Sequence, residues 1–310
     1  MDIAVFPREE LPTALGALRA FHPAPSEAQQ HFIEVIGRLH GVEVGGELPQ
    51  PSIQETAAVI ADPHRRKRLV QLAMVSTMVD GEIDSREAAG VERFARALEV
   101  DERATRTMRQ LASQQNFMAR LDLTRRILGR FAGEAWREER WAGLRKMVAP
   151  VTDGGEDVST AWRYKQLGLL PPGSFGRAFW EHVTVRQFAF PGESGGIPER
   201  MVFHDLGHVL AGYDTNPQGE IQQAAFQSGF VRNDGFAFLF FGLVQFHLGV
   251  KVTPIADAEV GLFDVDKVMT ALARGAACKV DLSDRWDFWP LMPLSLERVR
   301  AELGIPPLAG

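Results

Sequence analysis

Side chains suited to sharing one metal ion crowd the segment Phe203-His204-Asp205-Leu206-Gly207-His208, and Glu220 follows after eleven intervening residues. On an α-helix each residue advances by about 100°, so His204, His208 and Asp205 fall at roughly 0°, 40° and 100° and point to one side. Two imidazoles one turn apart, joined by a carboxylate from a neighbouring helix, are a usual way to bind Zn²⁺ or Fe²⁺ with coordination positions left open. The bare HxxxH pair is a common accident of helices, and Asp205 and Glu220 are what lift the metal reading above it. Two other motif readings fail on residue identity. A zincin helix needs Glu where Asp205 stands. An HD-type phosphohydrolase needs a further His upstream and Asp downstream at helical sites, and nothing in the sequence recommends His182 or Asp214 for those places.

The elements that must hold this constellation follow from local signals. Gly212 and Pro217 end the first helix, and Gly219-Glu220 opens a second, antiparallel one that returns the carboxylate to the depth of the histidines. Helical spacing of apolar residues recurs along the chain and strand-like alternation is scarce, so the expectation is an all-α fold. Ser26 with Gln29 forms a capping box ahead of Phe32, Val35, Ile36 and Leu39, and residues 41–51 form a Gly/Pro-rich connector. Asp62-Pro63 starts a helix running to about Val79, with Leu69, Leu72, Ala73, Ser76 and Val79 on one face. After the turn Asp80-Gly81-Glu82-Ile83, Asp84 and Glu87 form another capping box for a helix bearing Ala88, Val91, Phe94, Ala95 and Leu98, which predicts an antiparallel hairpin. The run His64-Arg65-Arg66-Lys67-Arg68 reads as a solvated first turn rather than a basic docking patch.

A length of 310 residues favours two domains. The Gly/Pro/Asp-bearing stretch 149–159 is the best linker, which places the domains at 1–150 and 151–310. The formal charge of -6 opposes general binding to nucleic acid. Residues 1–150 hold 21 basic and 21 acidic side chains and residues 151–310 hold 13 and 19, so the excess belongs to the second half. The single cysteine, Cys278, excludes an intrachain disulfide and Cys-based zinc motifs and suits a reducing cytoplasm. The first ten residues lack the layout of a secretory signal. The apolar stretch 236–250 falls short of the ~20 residues that span a bilayer and is interrupted by Gln245 and His247.

Two resemblances add to this reading. Asp80-Gly81-Glu82-Ile83-Asp84 with Glu87, joining two helices within residues 55–130, resembles the TerB-like tellurite-resistance family. An acidic turn of this kind suits helix capping; as a cation loop it departs from the EF-hand, which places glycine at its sixth position. The second resemblance covers about residues 160–308. His204, Asp205, His208 and Glu220 match the HDxxH-x11-E signature of the fourth coenzyme Q (ubiquinone) biosynthesis family. Leu170-Pro171-Pro172-Gly173-Ser174-Phe175-Gly176-Arg177, the segment Val265 to Asp281-Leu282, and Trp286-Asp287 with Leu294 to Gly304 also resemble that family's flanking segments. Before the HD pair, Glu199-Arg200-Met201 retains one Arg where family members often carry several.

The resemblance implies a helical bundle in which His204, His208 and Glu220 hold a divalent metal, usually zinc with iron as the alternative, and Asp205 is a fourth ligand or a general base. It further implies a hydrophobic channel for a polyprenyl tail, with replacement of the C1 carboxylate of a prenylated ring by hydroxyl as the reaction. A quinone-synthesis protein complex, a homo-oligomer and peripheral contact at the inner face of the membrane are the partners it suggests. The strongly apolar segment containing Phe236, Phe238, Phe240 and Phe241 suits an isoprenoid groove, although a helix apolar all round is ordinarily a buried core element. His247 reads as a packed or surface residue rather than a ligand. Two further functional classes stay open: a non-catalytic lipid-binding scaffold with structural zinc, and a stress-response protein led by the TerB-like half.

Overall fold

Short polar residues set the starts of most helices. In the computed structural model, which describes residues 5–113, 156–252 and 257–308 with a few positions between 115 and 123, six helices precede residue 113: α1 (Leu11–Ala20), α2 (Glu27–Leu39), α3 (Ile53–Val59), α4 (Pro63–Ser76), α5 (Ser85–Ala97) and α6 (Ala104–Ala112). The later part carries α7 (Val158–Lys165), α8 (Phe175–Val185), α9 (Phe203–Ala211), α10 (Pro217–Phe230), α11 (Phe236–Phe246), α12 (Val265–Ala276) and α13 (Leu296–Leu303). The described fold is all-α. Extended pairing among the described residues is limited to isolated bridges, Ser174 with Ser295 and Leu248 with Val260.

Ser26 and Gln29 make the reciprocal capping box expected of them, and Ser52 and Glu55 make a second one. Asp62 caps α4 with Pro63 at its first position, and that helix ends at Ser76, one turn before Val79. At α5 the expected box is half formed. Asp84 accepts from the Arg86 and Glu87 amides, but the Glu87 carboxylate reaches back to Nδ1 of the buried His22 at 2.9 Å. A charge-assisted bond to a buried imidazole outweighs a solvent-exposed capping bond. Much of the basic run is spent on partners within the protein: Arg65 pairs with Glu10, Arg66 bonds the Ile60 and Ala57 carbonyls, and Lys67 lies 3.9 Å from Glu102.

The second half is built around α10, which packs most extensively against α12 and α11 and also borders α9. Its crossing with α12 brings backbone against backbone. A Cβ on Gly275 would stand 2.0 Å from the Phe226 carbonyl oxygen, and one on Gly229 2.5 Å from that of Leu272. Only glycine fits at such an approach.

The sequence-based boundary between residues 150 and 151 lies outside the described residues. What is described is a core shared by both halves, from Phe6 to Ile305. Helix α2 packs on α12, where the Asp266 carboxylate takes His31 and Arg38 at 2.5 Å each. His247, at the end of α11, accepts from the Phe263 amide through Nδ1 and therefore donates from Nε2 to the Val79 carbonyl, each at 3.1 Å. Among the described residues no helix is long and apolar enough to cross a membrane.

Candidate metal centre

Helix α9 delivers both imidazoles and α10 delivers the carboxylate. Asn216 caps α10, Pro217 begins it, and Glu220 sits in its first turn, where the helix dipole favours an anion. Helix α9 ends at Gly212, whose positive φ of 79° turns the chain so that the Tyr213 carbonyl folds back beneath His208. The terminus is clamped from outside. Arg274 of α12, 5% exposed, donates to the Ala211 carbonyl and the Tyr213 hydroxyl, and Arg300 of α13 donates to the Leu210 and Val209 carbonyls. Two guanidinium groups at a helix C-terminus satisfy its last carbonyls and match the dipole.

The donor atoms of His204, His208 and Glu220 lie within 4.8 Å of one another. Nε2 of His208 is 3.4 Å from one Glu220 oxygen, and Nε2 of His204 is 3.6 Å from the other. Two ligand atoms about 2.1 Å from a tetrahedral ion stand roughly 3.4 Å apart, so each nitrogen lies about one such edge from a Glu220 oxygen, of which one serves as ligand. The His208 tautomer is also suited to ligation. Its Nδ1 lies 3.2 Å from the Tyr213 carbonyl and donates there, which leaves the Nε2 lone pair facing the carboxylate. That nitrogen is fully buried and has no hydrogen-bond partner. A lone pair facing a carboxylate with no proton between them is what a cation fits. The Gln227 side-chain amide lies 2.9 Å from Nδ1 of His204 and holds that ring; ligation through Nε2 requires the amide to present its oxygen there and accept the Nδ1 proton. The His208 side chain is wholly buried while those of His204 and Glu220 are 31% and 22% exposed, so the group opens towards solvent on one side.

The charges of the three are interlocked. Burial pulls the His204 imidazole down, but the Glu220 carboxylate outweighs it, with Asp205 and Gln227 assisting, and raises it to about 9. Burial pushes Glu220 up, and the neighbouring His204 and His208 imidazoles overcome this and bring it to about 2. Asp205 is raised, chiefly by burial, against the pull of His204 and His208. It is not among the three that share ligand distance.

The structure brings in Gln223 and Gln227, which sequence reasoning did not name, and His182, which it named only to set aside. Gln223 is fully buried and its amide donates to the His204 carbonyl at 3.0 Å. Gln223 and Gln227 lie three and seven residues after Glu220, so the face of α10 that they share with it was readable from spacing. His182 of α8, 7% exposed, stacks on His208 with ring centroids 5.7 Å apart and planes at 30°. Burial, reinforced by Arg186 and the two site histidines, holds its imidazole near 3. Asp214 is exposed and bound by Arg186 at 3.0 Å. Of the α11 aromatics, Phe236 and Phe240 are buried and stacked on one another in the core, whereas Phe238 and Phe241 are half-buried. His247 is packed between the halves, away from any ligand role.

No protein-family model matches the chain, and a search among curated proteins finds no match.

Proposed function

We propose that the chain is a metal-dependent protein of prenylated-quinone metabolism, holding a divalent ion with His204, His208 and Glu220. The observation that carries this reading is the convergence of two Nε2 atoms on the two oxygens of one carboxylate at 3.4 and 3.6 Å, with His208 Nε2 buried and unpartnered. Zinc suits the mixed nitrogen and oxygen donors, and iron is the redox-active alternative. When bound, the ion supplies Lewis acidity towards a ring carboxylate or phenolate and, if it is iron, electrons for O₂.

The protein's own residues do the rest. Gln227 and the Tyr213 carbonyl orient the imidazoles. Asp205, a carboxyl whose proton affinity burial has raised, is the residue assigned in this reading to accept a proton from the substrate ring. Phe238 and Phe241, the half-buried aromatics of α11, are the surfaces offered to an isoprenoid tail. The resemblance to the fourth coenzyme Q biosynthesis family supports a prenylated ring as substrate and replacement of its C1 carboxylate by hydroxyl as the reaction. Since the chain is acidic, contact with the cytoplasmic face of a membrane rests on apolar surface or on protein partners.

A second reading draws on the docking of the N-terminal half through His247 and Asp266. Direct packing of a TerB-like module on the site-bearing half suits a lipid-presenting scaffold or stress-response protein with structural zinc. One experiment separates the two: elemental analysis and lipid mass spectrometry on the purified protein and its Glu220→Ala variant. The enzymatic reading expects one ion, open to added ligands, with a prenylated ring lipid bound, and loss of the ion on substitution. Full metal content in Glu220→Ala sinks the metal assignment, and a redox-silent zinc closed to added ligands favours the scaffold.

A further inference from the structure

Around the centre three side-chain atoms are buried without a partner: His208 Nε2, Gln223 Oε1 and His182 Nε2. The first is accounted for by the ion, and the inference drawn here rests on that reading. Gln223 already spends its amide on the His204 carbonyl. His182 leaves its Nε2 without a partner in the polypeptide. The residue is more than nine-tenths buried, with its ring stacked on His208 and in edge contact with Phe188 at 6.2 Å between centroids. Leaving such a nitrogen unbonded costs about 1–3 kcal/mol, so a buried imidazole kept in this state calls for a partner outside the polypeptide.

His182 is not positioned as a further ligand, because its nitrogens fall outside the group whose donor atoms lie within 4.8 Å of one another. A place one bond further out suits it. An oxygen bound to the ion at about 2.1 Å and hydrogen-bonded at about 2.8 Å puts the outer nitrogen roughly 4–5 Å from the ion. His204, His208 and Glu220 fill three positions of a tetrahedral ion and leave one for such an oxygen.

We propose that His182 is the hydrogen-bond partner of the oxygen that fills the open coordination position: water in the resting protein, and a carboxylate oxygen of an aromatic acid in the working one. In the tautomer that carries its proton on Nε2, His182 then favours an anionic oxygen donor over a neutral ligand, and the stack on His208 holds the two rings in fixed relation. His182 thereby orients the acid on the ion and leaves ion affinity itself to the other three residues.

The test uses the full chain loaded with Co²⁺, whose visible spectrum reports the ligand shell, titrated with benzoate. His182→Phe and His182→Leu remove the nitrogen and keep an apolar side chain at the site, and His182→Gln returns an N–H; circular dichroism and thermal unfolding check each fold. Folded Phe or Leu variants are expected to bind one equivalent of Co²⁺ within about threefold of the unaltered protein, but to bind benzoate about tenfold more weakly, the effect of one lost hydrogen bond. The Gln variant is expected to recover most of that loss. Equal benzoate affinity in all four proteins overturns the proposal while leaving the metal centre intact, as does an unaltered protein whose spectrum ignores benzoate. A fall of roughly 100-fold in cobalt affinity on losing His182 makes it a ligand and also overturns the proposal. Failure of the unaltered protein to bind cobalt overturns both this inference and the metal reading.

Discussion

His247 and His208 are both almost wholly buried, and they differ in what surrounds their nitrogens. His247 is saturated by backbone, with the Phe263 amide on Nδ1 and the Val79 carbonyl on Nε2, and burial holds its proton affinity down. His208 uses only Nδ1, on the Tyr213 carbonyl, and turns a bare Nε2 to Glu220. His22 resembles His247, bonded through both nitrogens to Glu87 and Ser76. A buried imidazole with both nitrogens answered by the chain is part of the framework. One with a nitrogen left over, aimed at a carboxylate on another helix, has its remaining valence reserved for a ligand.

If this contrast is sound, substitutions at the two sites will separate affinity from stability. His208→Ala removes a ligand and is expected to lower zinc affinity by roughly 100-fold or more, read by chelator competition. Secondary structure should be retained. His247→Ala leaves the Val79 carbonyl and Phe263 amide without partners inside the core and is expected to cost about 2–4 kcal/mol in denaturant unfolding. Its metal content should match that of the unaltered protein; loss of the ion there would erase the distinction. Gln227→Leu frees the His204 ring and is expected to weaken zinc about tenfold at nearly unchanged stability. The smallest effect is assigned to the acidic turn. Asp84→Ala is expected to cost about 1 kcal/mol, as a lost helix cap, with no change in bound metal.

The helices that carry His204, His208 and Glu220 were legible because their signals are local. HxxxH fixes two imidazoles on one face, Gly212 and Pro217 mark the break, and eleven residues suffice to return Glu220 antiparallel. The caps at Ser26, Asp62 and Asp84 were equally plain, since a Ser or Asp side chain bonds the amide two or three residues on. Long-range partners were not legible. Glu87 leaves its local cap for His22, 65 residues away, and His182 reaches His208 only because α8 packs on α9. The aromatic stretch on α11 shows the same limit. Its composition marks it as apolar throughout, but which faces of Phe236, Phe238, Phe240 and Phe241 meet the core depends on the crossing with α10, which no local spacing specifies.

The glycine contact between α10 and α12 has a consequence for how this chain tolerates change. Because Gly229 and Gly275 bring main chain against main chain, the distance between the two helices is set by peptide groups rather than by side-chain volume. Glu220 lies nine residues before Gly229 on the same rigid helix, about 14 Å along its axis. The crossing therefore acts as a fulcrum. One methyl group added at position 275 would meet the Phe226 carbonyl oxygen at 2.0 Å and force α10 and α12 apart, with Glu220 on the displaced helix.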